Sequence, residues 1–196
     1  MILCAHSNAG FHNECGGRSR ASAHIFLSED EPVPKWNGHE LTIAQIIKFV
    51  ITSTSEVELG AICITAQAMV SQRNNLEEMG WKQRRSPIQT DNLAAVGVAN
   101  NTIVPHKLKA MDRRLCWLRC RDSQRLIPLL LGPRLTELGD YSTKHYPPLC
   151  HESKRIPFYG LTLHIHDVRS EPVSVEFLIT SKVYCSGFQV EPLQPW

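Results

Sequence analysis

Four residues have types and positions suited to chemistry: Asn8, Glu58, Asp91 and Asp140. Each falls at the end of an expected strand or the start of an expected helix. Their side chains offer hard oxygen donors, the kind that magnesium takes. Two divalent ions about 4 Å apart clamp both sides of a phosphodiester during in-line displacement. Such a site needs several carboxylates carried to one edge of a sheet by different elements. Each acid also has a plainer reading. Ser55-x-x-Glu58 and Ser53-x-x-Glu56 both fit a capping box, and Asp91 and Asp140 both fit a helix N-cap. Spacing alone leaves these readings open.

A second feature is charge. Between 105 and 125 lie Lys107, Lys109, Arg113, Arg114, Arg119, Arg121 and Arg125 against Asp112 and Asp122. Seven cations against two anions leave a local excess of +5 in a chain of net charge +2. Lys82, Arg84 and Arg85 form a smaller cluster upstream. A basic stripe suits a polyanion, and it equally suits the solvated face of a surface helix. The smaller signals are weak. Cys116, Cys120, His145, Cys150 and His151 lack the spacing of a zinc finger or ribbon. His164-x-His166 fits a surface strand, and Trp36, Trp81 and Trp117 suit a partial core better than base stacking. There is no Gly-rich phosphate loop and no Ser-His-Asp or Cys-His arrangement.

These residues need elements to position them. The chain has 196 residues, 42% hydrophobic and 20% charged, enough for one domain with an appendage. No apolar run approaches the ~20 residues of a membrane span, and no secretory signal opens the chain. Seven cysteines, an odd and scattered count, suit reduced thiols. The expectation is an intracellular protein of cytoplasm or nucleus, not secreted and not in a membrane. Strands are expected at 2–8, with Asn8-Ala9-Gly10 as exit, at 21–27, and at 41–51, where a helix is the alternative. Helical spacing runs from Leu59 to Leu76, opened by Ser-Thr-Ser and closed by Gly80. A short strand at 87–91, a helix at 93–98 and a basic helix at 106–124 follow. The basic helix would set Leu108, Met111, Leu115 and Leu118 on its apolar face. Residues 125–131 read as a strand damaged by Pro128, and 136–144 as a last short helix. The order implies an α/β fold, a mixed sheet covered by helices. Tyr146-Pro147-Pro148 reads as a boundary, with strand-like stretches beyond it at 161–168 and 173–179.

Five stretches carry a resemblance. His6-Ser7-Asn8-Ala9-Gly10 is similar to a Ser-Asp-Ala opening strand. Thr54-Ser55-Glu56-Val57-Glu58-Leu59 is similar to a Ser-Thr-Glu-Ala-Glu-Tyr helix start. Gln89-Thr90-Asp91-Asn92 is similar to a Cys-Asp-Asn strand end. Lys107 to Asp112 is similar to Arg-Thr-Lys-His-Ile-Asp, and Leu138 to Lys144 to a closing Leu-Ala-Asp-Ile-Leu-Thr-Lys. In this order the chain resembles the ribonuclease H domain of copia-type retrotransposon Pol polyproteins.

The resemblance implies a ribonuclease H-like mixed five-stranded sheet with helices on both faces over 1–145. It leaves 146–196 as an unassigned tail, with strands or partly disordered. It implies magnesium-dependent cleavage of the RNA strand of an RNA–DNA hybrid, with a two-ion site on Asn8, Glu58, Asp91 and Asp140. Glu58 is preferred to Glu56 because Leu-Gly-Ala follows it in the family's register. Lys107, Lys109, Arg113, Arg114 and Arg121 would grip phosphates, and His145 would serve product release or proton transfer. The chain would act as a monomer, or once have been part of a larger polyprotein.

Three departures imply a truncated, degenerate copy with impaired activity. Asn8 stands where the family has a carboxylate, so three charges replace four. Leu129-Leu130-Leu131-Gly132 stands where the family has an aromatic-rich strand. Met1 opens directly on the first strand, without a polymerase domain before it. The alternatives are a catalytically inactive nucleic-acid-binding remnant or a non-functional transposon fossil.

Overall fold

The computed structural model describes residues 1–35, 37–100, 102, 112–132, 138–144 and 146–159. Its strands are β1 (Ile2–Glu14), β2 (Arg18–Ser28), β3 (His39–Ile46), β4 (Ile88–Thr90) and β5 (Leu129–Leu131). Its helices are α1 (Thr54–Glu78), α2 (Leu93–Ala99), α3 (Asp112–Ser123) and α4 (Pro148–Tyr159), with a 3-10 turn at Gly139–Ser142. The five strands form one sheet in the order β3-β2-β1-β4-β5. The β1–β2 and β2–β3 pairs are antiparallel, and β1–β4 and β4–β5 are parallel. This is the mixed sheet that the element order implied.

Pleating sorts β1 into two faces. Leu3, Ala5 and Ser7 face α1; Leu3 and Ala5 join the main core with Ile25, Leu59, Ile62 and Met69, and Thr65 donates to Ser7 Oγ at 3.0 Å. Ile2 and Cys4 face the other way and pack with Phe26. His6 and His24, directly paired across β1 and β2, lie on that same face. There α4 covers them, with the Phe158 ring 4.9 Å from His24 and 5.3 Å from His39. Helices therefore cover both faces.

Several sequence expectations are corrected. β1 does not leave at Gly10 but runs to Glu14. It absorbs a register shift after Gly10 and turns at Gly16 (φ 74°) and Gly17 (φ 66°), both in the left-handed region that glycine tolerates. Asn8 is therefore in mid-strand. β3 stops at Ile46 rather than continuing to 51, because the chain bends back to pack Ile47 and Phe49 beside α1. Pro128 does not damage β5. It precedes the ladder, where its missing N–H costs nothing, and its carbonyl accepts from Ile88 N at 3.0 Å. The expected helix at 136–144 is the four-residue 3-10 turn, residues 133–137 lying outside the described set. A helix not expected from the sequence follows: Pro148 opens α4, a position where proline's fixed φ suits a helix start. Residues 103–111 of the basic helix and the strand-like stretches 161–168 and 173–179 lie outside the described residues. None of the described helices is long and apolar enough to cross a membrane.

Candidate functional site

Local hydrogen bonds decide which acids are caps. At the start of α1, Ser53 accepts from Glu56 N, and Glu56 Oε2 accepts from Thr52 N at 2.6 Å and Thr52 Oγ1 at 2.7 Å. The capping pair is Ser53 and Glu56, which leaves Glu58 without that duty. At the start of α2 the cap is Asn92, whose Oδ1 accepts from Ala95 N at 2.9 Å, so Asp91 is not the cap. Leu138 precedes the 3-10 turn without a side-chain cap, and Asp140 sits in its first turn. The plainer readings of all three acids fail.

Glu58 is 6% exposed and Asn8 4% exposed. The Glu58 carboxyl accepts from Ala9 N, yet its Oε2 is buried without a hydrogen-bond partner among the described residues. Burial pushes its pKa up to about 8; the charges of Asp91 and Asp140 push the same way, while the Ala9 N–H and Lys144 oppose them. Glu58 from α1, Asp91 from the end of β4 and Asp140 from the 3-10 turn thus lie close enough for their charges to act on one another.

The 138–144 segment is latched to β1. Leu138 N donates to His6 Nδ1 at 3.0 Å, so that nitrogen carries no proton. Asn13 Nδ2 donates to Thr143 O at 2.7 Å, and Thr143 Oγ1 lies 3.4 Å from Asn8 Oδ1. Between these ties Gly139 presses on the strand. A Cβ there would stand 3.1 Å from Asn8 N and 3.3 Å from His6 O, both backbone atoms. Gly139→Ala should therefore lift the turn and cost about 1–3 kcal/mol, as overpacking does. Urea melts check this, and an unchanged midpoint would show that the latch is loose.

Three residues around Asp140 were not singled out from the sequence. Lys144 Nζ lies 2.5 Å from Oδ1 and 2.7 Å from Oδ2, Tyr146 OH donates to Oδ2 at 2.8 Å, and Thr143 Oγ1 is 3.4 Å from Oδ1. The i,i+4 spacing of Asp140 and Lys144 was a readable signal; Tyr146 had none.

The basic helix is less available than its composition implies. Arg113 is exposed. Arg114 lies 3.8 Å over the Phe49 ring and Arg121 lies 5.4 Å over Trp117. Arg119 donates to Val98 O and Ala99 O, satisfying carbonyls at the end of α2. Lys107, Lys109 and His145 lie outside the described residues. Cys116, Cys120 and Cys150 are exposed free thiols.

A divalent ion would meet hard oxygen donors here, and the buried, unpartnered Glu58 Oε2 suits a cation. In that respect the residues present fit magnesium. Among the described residues, no three His, Cys, Asp or Glu side chains are grouped closely enough to hold one ion.

No family model and no curated protein matches the sequence. Solved structures do. LC11 ribonuclease H1, isolated from compost by a metagenomic approach, matches with a TM-score of 0.52 at 10% identity, over 72% of this chain and 91% of that one. The same enzyme has been solved with an RNA/DNA hybrid. The N-terminal RNase H domain of a Mycobacterium tuberculosis protein gives 0.47 at 13% identity, over 72% and 90% of the two chains. Ribonuclease H1 of Halobacterium salinarum gives 0.43 at 13%, over 71% and 91%. At such identities the likeness is one of fold. The mixed five-stranded sheet with helices on both faces is the ribonuclease H-like fold.

Proposed function

We propose that this chain is a ribonuclease H-like domain of copia-type retrotransposon origin that binds RNA–DNA hybrid and cleaves its RNA strand weakly, with magnesium. The observation that carries the reading is the release of Glu58 and Asp91 from capping, which leaves two acids from different elements beside Asp140. Glu58, Asp91 and Asp140 would hold magnesium, with Asn8 supplying a neutral oxygen. When bound, the metal would activate water and offset charge on the scissile phosphate. The chain's own part is positional. Ser53 and Asn92 fix the helix starts, and the 138–144 latch sets Asp140 beside Asn8. Arg113, with Lys107 and Lys109, is assigned the phosphate backbone, which it would hold without reading sequence.

A second reading is a nucleic-acid-binding remnant without turnover. It is favoured by the uncharged Asn8 and by the engagement of Asp140 with Lys144 and Tyr146. Purified protein with labelled hybrid and magnesium separates the two. Slow cleavage is expected, and Asp91→Asn should remove at least about 100-fold of it, as losing a charge that stabilises the reacting centre does. Hybrid binding should survive that change and weaken steeply with salt. Salt-sensitive binding with no cleavage would leave the remnant reading standing, and binding that salt does not alter would remove nucleic acid as the partner.

A further inference from the structure

The Asp140 carboxylate already has a cation. Lys144 Nζ lies within 2.7 Å of both its oxygens, and Tyr146 donates to one of them. The Lys144 side chain is 44% exposed, and the backbone that carries it is held in place. The residue before it is tied to β1 through Asn13 and Thr143 O, and the turn before that through Leu138 and His6. The Asp140 side chain is 13% exposed, so water screens the pair from the lysine's side far more than from the carboxylate's.

A divalent ion and an ammonium compete for the same oxygens and repel each other at short range. A further carboxylate would offset that repulsion, but Asn8 brings none; its Oδ1 lies 3.4 Å from Thr143 Oγ1, whose proton has a shorter acceptor in Asp140 O at 3.0 Å. The buried oxygen without a hydrogen-bond partner among the described residues is Glu58 Oε2, and Asp91 lies close enough for its charge to act on Glu58. One or two carboxylates suffice for a single magnesium ion, which keeps several of its waters. They do not balance two ions at close quarters.

We propose that Lys144 is the resident cation of this site: its ammonium holds Asp140 in the place of one divalent ion, and Glu58 with Asp91 takes a single ion of the magnesium class. This rests on the metal-dependent reading above, takes Asp140 out of its ligand set, and replaces the two-ion expectation of the resemblance with one ion and one lysine. It also gives Asn8 a physical role, since a neutral residue beside the Lys144–Asp140 pair leaves the pair balanced.

The test is to count bound Mn2+ on the full chain by electron paramagnetic resonance, with thermal melts to follow folding. One ion per chain is expected. In Lys144→Gln the amide still donates to Asp140 but carries no charge. That variant should bind a second ion, or bind the first at least about 10-fold more tightly, since a nearby like charge has gone. Tyr146→Phe removes a hydrogen bond and no charge, so its count should stay at one. Two ions on the unaltered chain would overturn the proposal, and that count decides the matter should Lys144→Gln fail to melt cooperatively. A Lys144→Gln titration that overlays the unaltered one would overturn it as well. No Mn2+ on the unaltered chain, on Lys144→Gln or on Asn8→Asp would remove the metal-dependent reading itself, a different failure from two ions.

Discussion

Lowering the pH from about 7 to about 4 should destabilise this protein, because two buried histidines must take up protons as it unfolds. Burial is the main cause of the low pKa of His6, about 3, with the charge of His24 acting in the same direction and Gln89 opposing it. Burial also dominates for His24, about 4, opposed by the Asn37 carbonyl and aided by His39. Both lie below the ordinary 6.5, so between those values the unfolded chain binds more protons than the folded one. The histidines' contribution is intact above about pH 6.5 and is lost as pH falls toward 4. The two rings together withdraw on the order of 5 kcal/mol and Glu58 returns on the order of 3 over the same range, leaving a net loss of about 2 kcal/mol, a sizeable part of the ~5–15 kcal/mol by which domains are stable. Glu58 acts in the opposite sense. Its folded pKa of about 8 exceeds the ordinary 4.5, so the stability it adds is present below 4.5 and is lost as pH rises through 8. A stability maximum between these limits follows. Urea midpoints measured across the range check it. His24→Phe, packed between Phe26 and Phe158, should hold to a pH lower by about one, since one of the two protonations is gone. A midpoint that stays level from pH 7 to 4 would refute the burial of both rings.

Asn8→Asp should turn a weak metal site into a stronger one. The substitution keeps the shape and adds a charge at a position 4% exposed, next to the Asp140 turn. Without metal, two buried carboxylates near each other repel, so the variant should melt lower than the unaltered chain. Magnesium should then raise its melting point more than it raises the original's, by linkage. An affinity gain of about 10-fold or more is expected, equivalent to about 1.4 kcal/mol, and hybrid cleavage should rise with it. Pro128 offers no competing defect, since β5 pairs with β4 through all three of its residues. Equal magnesium dependence of the two melting points would show that the missing charge at Asn8 does not limit the site.

Much of the frame was legible because its signals are local. Ser53 and Gly80 bracket α1 in the structure as they do in the sequence. Gly80 takes φ 89°, and its N–H returns to Glu77 O at 3.0 Å. The short strand before Asp91 and the helix after Asn92 were also readable, since a cap and its N–H are three residues apart. The reach of β1 to Glu14 was missed because Ala9-Gly10 looked like an exit. The actual reversal uses Gly16 and Gly17, whose positive φ no apolar pattern announces. α4 was missed because a proline pair reads as an end, although proline is also a good first residue for a helix.

The sequence by itself determined most of the element types and the chemical kinds of the first site residues: three acids, and an amide where a carboxylate is expected. Only the tertiary structure decided their duties. Ser53 and Asn92 took the caps, and Glu58 was left with a buried oxygen that has no hydrogen-bond partner among the described residues. His6 received the N–H of Leu138, 132 residues away, and Asn13 received Thr143, 130 residues away. The physical reason is range. A cap, a turn or a helical face is settled by neighbours within about four residues. Which carboxylate meets a lysine and which is left to a metal depends on strand register and on the turn that Gly139 allows against β1, and those contacts exist only once the chain has folded.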